Sequence, residues 1–119
     1  EELVLEFSTA KNVQINYENE LDFSVLEVNK QLHIFRILQE LLNNSMRHGK
    51  ATIISITFVS KNKQNTCLYI DNGVGFNASL GNQKRGIGMQ NIESRVNYLG
   101  GKLTVQSEIN KGVLIEFNF

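Results

Sequence analysis

Five stretches of the chain predict strands, four by alternating apolar and polar residues with period two and one as a short apolar run. Val13, Ile15 and Tyr17 mark the first, and Ile54, Ile56 and Phe58 carry the second within 51–60. Lys61 to Asn65 reads as a polar turn, after which Thr66 to Asp71 returns as the other arm of a hairpin ending on Asp71. Lys102–Glu108 and Val113–Phe119 alternate on either side of a turn at Asn110-Lys111-Gly112. Two stretches keep helical period instead. The first, at about 29–48, has apolar residues at 34, 35, 37, 38, 41, 42 and 46. The second, at about 87–99, places Ile92, Val96 and Leu99 on its buried side. Gly49 and Gly100-Gly101 stand where helix stops are expected.

The remaining segments are less regular. Residues 1–10 fit both periods, since Leu3, Leu5 and Phe7 alternate while Leu3, Val4, Phe7 and Ala10 fit a helix. Asn19 to Val28 is an acidic connector, and Asn77 to Arg85, with Gly81 and few apolar residues, reads as a mobile loop. Helices interleaved with strand pairs predict an α/β (α+β) two-layer sandwich: one mixed, mostly antiparallel sheet covered on one face by helices. Phe7, Phe23, Phe35, Phe58, Phe117 and Phe119 are expected in the core or on the sheet face.

Bulk properties narrow the function. A length of 119 residues supports one domain, 1–119, with residues 1–10 as the tail of a preceding or first helix. Twelve basic and twelve acidic side chains cancel, so no overall field favours nucleic acid or an anionic membrane. No apolar run approaches the ~18–20 residues of a membrane span, and no signal-peptide pattern opens the chain. Cys67, the single cysteine, lies in a strand-like run and is expected to be a small buried residue. The expectation is a soluble domain of a reducing compartment.

Chemistry concentrates in three places. Asp71-Asn72-Gly73-Val74-Gly75 puts a carboxylate before a glycine pair, and Gly86-Ile87-Gly88 opens the second helix. Glycines at that spacing let backbone approach a ligand and leave amides facing anionic oxygens, although they can also merely shape turns. On the long helix, Glu40, Asn44 and His48 follow one another at spacings of four, with Arg47 beside them. An amide oxygen one turn from a carboxylate suits a hard cation such as magnesium.

These segments, in this order, resemble the ATP-binding catalytic domain of sensor histidine kinases. Phe35 to His48 (Phe-Arg-Ile-Leu-Gln-Glu-Leu-Leu-Asn-Asn-Ser-Met-Arg-His) looks like the N box. Asp71 to Phe76 looks like the G1 box, and Arg85 to Ile92, running on to Leu99-Gly100-Gly101, looks like the G2 box and its helix. The resemblance runs from about Val13 to Phe119 and is strongest to the short-lid branch that includes nitrate-sensing and lipid-fluidity-sensing kinases.

The resemblance implies the Bergerat fold of the GHKL superfamily, a helix over residues 1–10, and the cofactors ATP and Mg2+. It implies that Asn44 ligates magnesium, that Glu40 holds a water or polarises the attacking group, and that Arg47 and His48 flank the phosphates. It further implies that Asp71 accepts from the adenine amine above Gly73 and Gly75. Arg85, Gly86, Ile87, Gly88 and Met89 would form the lid hinge and phosphate cradle. The implied activity is donation of the γ-phosphoryl group to a histidine on a separate dimerisation segment, followed by a response regulator receiver domain. No nucleic acid is implied. The implied location is cytoplasmic, in a parent that can be anchored in the inner membrane.

Two positions depart from the pattern: Val113 replaces the usual threonine that supports a water at the base, and Met89 replaces a leucine of similar volume. An anti-sigma-factor-type serine kinase and an ATP-gated clamp module share the boxes. The Phe35-Arg36-Ile37 lead-in and the Leu99-Gly100-Gly101 ending favour the histidine kinase, and a lid of roughly ten residues is short for a clamp. His33, outside any acidic-flanked motif, is a weak candidate for a phosphoacceptor.

Overall fold

A computed structural model of the chain describes residues 13–47, 50–75 and 86–119. The elements run β1 (Gln14–Asn19), a 3-10 turn (Phe23–Val25), α1 (Val28–Arg47), β2 (Ile53–Lys61), β3 (Gln64–Asp71), α2 (Gly86–Tyr98), β4 (Leu103–Ser107) and β5 (Val113–Asn118). The expected helix over 1–10, the stop at Gly49 and the loop at 77–85 lie outside the described residues.

One five-stranded sheet has the order β1-β2-β3-β5-β4. Only β1 and β2 pair in parallel, with Ile15 beside Ile54 and Tyr17 beside Ile56; the other three pairings are antiparallel. The mixed, mostly antiparallel sheet is therefore as expected. Register stacks Ile56, Tyr69, Ile115 and Val105 across four strands, with Phe58, Cys67, Phe117 and Leu103 in the next row. Because side chains alternate along a strand, those rows share one face. That face meets Ile34, Ile37, Leu41 and Leu42 of α1 and Met89, Ile92, Val96 and Leu99 of α2 in a single buried cluster. Burial pushes the Cys67 thiol far above its usual range, so it is an inert core group.

Local chemistry accounts for the element ends. Asp22 caps the 3-10 turn by accepting from the Ser24 amide, and the Ser24 hydroxyl, then that amide, hold its carboxyl below the usual range. Gln31 donates to the carbonyls of Phe23 and Leu26 and ties that turn to α1. Phe23 then packs edge-on to Phe58 at 4.9 Å. The β2–β3 connection is tighter than the 61–65 turn expected from sequence. Lys61 pairs with Gln64, leaving Asn62 and Lys63 at φ 53° and 65°. Positive φ at both central residues defines the hairpin turn that matches strand twist, and asparagine tolerates it well. At the end of α2, the Gly101 amide reaches the Val96 carbonyl and the Gly100 amide that of Asn97, closing the last turn.

Phe7 lies outside the described residues, and among the other phenylalanines expected in the core or on the sheet face one departs from expectation. Phe35 is 42% exposed rather than buried. Stepping 100° per residue, it lies on the far side of α1 from Ile37 and Leu41 and joins Val28 and Leu32, which are also exposed. Arg36 lies 5.9 Å from its ring centre.

Candidate functional site

α1 crosses the sheet so that consecutive residues serve different surfaces. Glu40 and Asn44 lie one turn apart on a half-buried edge, and among the described residues neither side chain has a hydrogen-bond partner. Ser45, one residue further round, is 3% exposed and faces the sheet. Arg47 is exposed at the end of the helix, and His48 lies outside the described residues. Glu40 also lines a cleft of about 110 Å³ between the helices with Arg36, Gln39, Asn91, Ile92 and Arg95. Arg36 donates to Gln39 at 3.0 Å, and Arg95 donates to Nδ1 of His33 at 3.1 Å. His33 in turn stacks on Tyr98 at 4.0 Å, which makes it part of the α1–α2 contact.

Asp71 ends β3 and is only 5% exposed. Its Oδ1 accepts from the amides of Gly73 at 2.9 Å and Val113 at 3.2 Å. Its Oδ2 accepts from the Ser45 hydroxyl at 2.5 Å. Tyr69 is two residues earlier on the same face, and its hydroxyl lies 2.5 Å from Ser45 Oγ and donates to the Leu41 carbonyl at 3.0 Å. Burial, reinforced by the Asp71 charge and opposed by the Ser45 hydrogen bond, raises the Tyr69 phenol far above its ordinary range, so it stays a neutral donor. Each carboxylate oxygen accepts about two hydrogen bonds. Oδ1 is filled by two amides, whereas Oδ2 keeps one acceptor position among the described residues.

The segment after Asp71 is fixed from two sides. Asn72, which the sequence reading passed over, accepts from the amides of Thr52 and Ile53, both at 2.9 Å, and donates to the Thr52 hydroxyl. Gly75 adopts φ +64°, and a Cβ there would run into the Glu108 carbonyl, and meet Gly112 O at 2.7 Å and Ser107 Oγ at 2.8 Å. Its missing side chain thus makes room for the β4–β5 turn, a packing reason that the sequence reading did not foresee. A Cβ on Gly112 would overlap the Asp71 carbonyl. Val113 offers Asp71 a backbone amide but no hydroxyl. The hydroxyl comes from Ser45 on the other side of the carboxylate, a residue the sequence reading did not single out.

Gly86 to Met89 form the first turn of α2, whose leading amides have no partners within the helix. Met89 is 4% exposed and belongs to the core cluster. Arg85 lies outside the described residues. No three His, Cys, Asp or Glu side chains among the described residues converge as a metal site. The donor set is instead one amide and one carboxylate at Asn44 and Glu40, which fits magnesium, an ion that takes one or two protein oxygens and completes its shell with phosphates and water.

A parallel edge strand on an antiparallel sheet, two helices on one face and a buried carboxylate beside the long helix define a class of ATP-binding fold. Residues 29–119 match the family described as "Histidine kinase-, DNA gyrase B-, and HSP90-like ATPase", and the chain belongs to that family. It is 33% identical over 115 residues to sensor histidine kinase LiaS of Bacillus subtilis (strain 168), covering 97% of this chain and 31% of LiaS. It is 31% identical over 98 residues to the nitrate/nitrite sensor protein NarQ of Escherichia coli (strain K12), covering 79% of this chain and 17% of NarQ. The fold is similar to that of the blue-light activated histidine kinase EL346 of Erythrobacter litoralis, with TM-score 0.82 and 16% identity, over 99% of this chain and 39% of that one. The chain thus spans a third or less of the two sensor proteins it matches. No helix among the described residues is long and apolar enough to cross a membrane.

Proposed function

We propose that this chain is the Mg-ATP-binding catalytic domain of a sensor histidine kinase, which passes the γ-phosphoryl group to a histidine on a separate dimerisation segment. The observation that carries the reading is Asp71. Its carboxylate is buried, oriented by two backbone amides, and retains one acceptor position next to the helix that bears Asn44. That is what recognition of an adenine 6-amine requires, and the 6-oxo group of guanine offers no donor there. Asn44, with Glu40 one turn away, holds magnesium, which when bound neutralises phosphate charge. Arg47 supplies a further cation, and the leading amides of α2 face phosphate oxygens. Transfer of this kind depends mainly on positioning and charge neutralisation, so few residues need act as chemical catalysts. A response regulator receives the phosphoryl group, and the domain works at the cytoplasmic side of its parent. That LiaS and NarQ are sensor proteins favours this over a serine kinase or a clamp.

Titration calorimetry tests the binding step. ATP is expected to bind at least about tenfold more tightly with magnesium than without, and GTP at least about tenfold more weakly than ATP. Equal binding of GTP and ATP would refute the role of Asp71.

The surface of α1 supports a helical acceptor. Val28, Leu32 and Phe35 are 78%, 50% and 42% exposed on one stripe, and Arg36 separates that stripe from Glu40. A histidine-bearing helix seated there packs its apolar side on the stripe and brings its reactive edge beside Glu40. Leu32→Asp in the parent kinase is expected to slow autophosphorylation about tenfold, while ATP affinity of this domain stays unchanged. An unaltered rate would remove the stripe from the acceptor path.

A further inference from the structure

Ser45 sits where α1 meets β3, too buried for its hydroxyl to serve solvent. Its Oγ touches two oxygens at 2.5 Å, Asp71 Oδ2 and the Tyr69 hydroxyl. A serine has one proton to give, and a buried carboxylate is the stronger acceptor, so that proton goes to Asp71. The Tyr69 proton is then shared between Ser45 Oγ and the Leu41 carbonyl, which already accepts from the helix. The phenol is held neutral by burial, so this order of donors does not reverse in the unperturbed protein.

We propose that Ser45 is a positioning residue for base selection: its hydroxyl, aimed by Tyr69, takes one acceptor position of Asp71 Oδ2 and holds that oxygen so that its remaining acceptor position meets the 6-amine of the bound purine. The Gly73 and Val113 amides hold Oδ1. Rotation of the planar carboxylate moves both oxygens together, so the Ser45 contact at Oδ2 completes the set that holds it in place.

The inference rests on Asp71 meeting the purine, and one experiment separates the two. Calorimetric titration of the 119-residue chain in magnesium uses ATP and purine riboside triphosphate, which lacks the 6-amine. The unmodified chain is expected to prefer ATP. If it binds both alike, the purine reading of Asp71 falls and this proposal falls with it. Given the preference, Ser45→Ala is expected to weaken ATP about tenfold and leave the amine-free analogue within about twofold. Tyr69→Phe keeps the ring but removes the aiming hydroxyl, and is expected to cost about threefold for ATP only; it stands alone if Ser45→Ala does not fold. Equal losses for both nucleotides would make Ser45 a packing residue and overturn the proposal. So would an intact preference in either folded variant.

Discussion

Asn44→Ala is expected to lower phosphoryl transfer by roughly two to three orders of magnitude, because in the proposed function it removes the amide oxygen that would hold the cation. The side chain is half-buried at the helix edge and bonded to none of the described residues, so little of the fold depends on it. The core on that turn is made by Leu41, Leu42 and the Ser45 contact, all of which alanine at 44 leaves in place. Alanine is also the best helix former, so α1 itself should gain slightly. The measurement is radiolabelled ATP supplied to the domain joined to its histidine-bearing segment, with acid treatment to distinguish labile phosphohistidine from stable phosphoserine. A second readout is independent of turnover: the variant's ATP affinity should no longer rise when magnesium is added. A variant that keeps its magnesium response would take Asn44 out of the cation site. Acid-stable label would favour the serine kinase instead.

How far the chain could be read in advance depended on where each signal resided. Strands β2, β4 and β5 and helix α2 alternate or repeat because one side of each is buried, and β3 is a short apolar run between polar ends, so their positions were legible to within about two residues. The two-residue turn at Asn62-Lys63 was not, because it lacks the glycine that usually announces such a turn. Phe35 misled because an aromatic in an apolar-rich helix looks like core, whereas its angle places it with Val28 and Leu32. Ser45 was hidden in the polar run Asn43-Asn44-Ser45, which reads as solvated surface. The signal was present nonetheless: Ser45 lies four residues after Leu41 and eleven after Ile34, on the buried arc of the helix. A small polar residue at a core position, facing a strand that carries Tyr69 and Asp71, implies a buried hydrogen-bond network. The reason for Gly75 was out of reach for a different cause. It depends on the approach of the 107–112 turn, a contact between segments more than thirty residues apart.

Asp71→Asn is expected to leave the domain folded and weaken ATP by about ten- to a hundredfold. The prediction of intact folding follows from the hydrogen-bond chain around the residue. The asparagine oxygen can take the place of Oδ1 and keep both amides, those of Gly73 and Val113. Its NH2 group then faces Ser45, which can turn round and accept. Ser45 passes its own proton to the Tyr69 hydroxyl, and Tyr69 keeps its bond to the Leu41 carbonyl. Every buried partner is satisfied with the direction of donation reversed, so thermal unfolding should shift by only a few degrees. The purine is the one partner left out. The second N–H of the new amide occupies the position of the former acceptor and points a donor at the 6-amine, itself a donor. Inosine triphosphate, with an oxygen at that position, should for the same reason lose nothing and gain affinity relative to ATP. Calorimetry of ATP and inosine triphosphate on the folded variant reads both effects. Unchanged ATP affinity, or equal losses for the two nucleotides, would show that Asp71 serves the sheet edge and does not read the base.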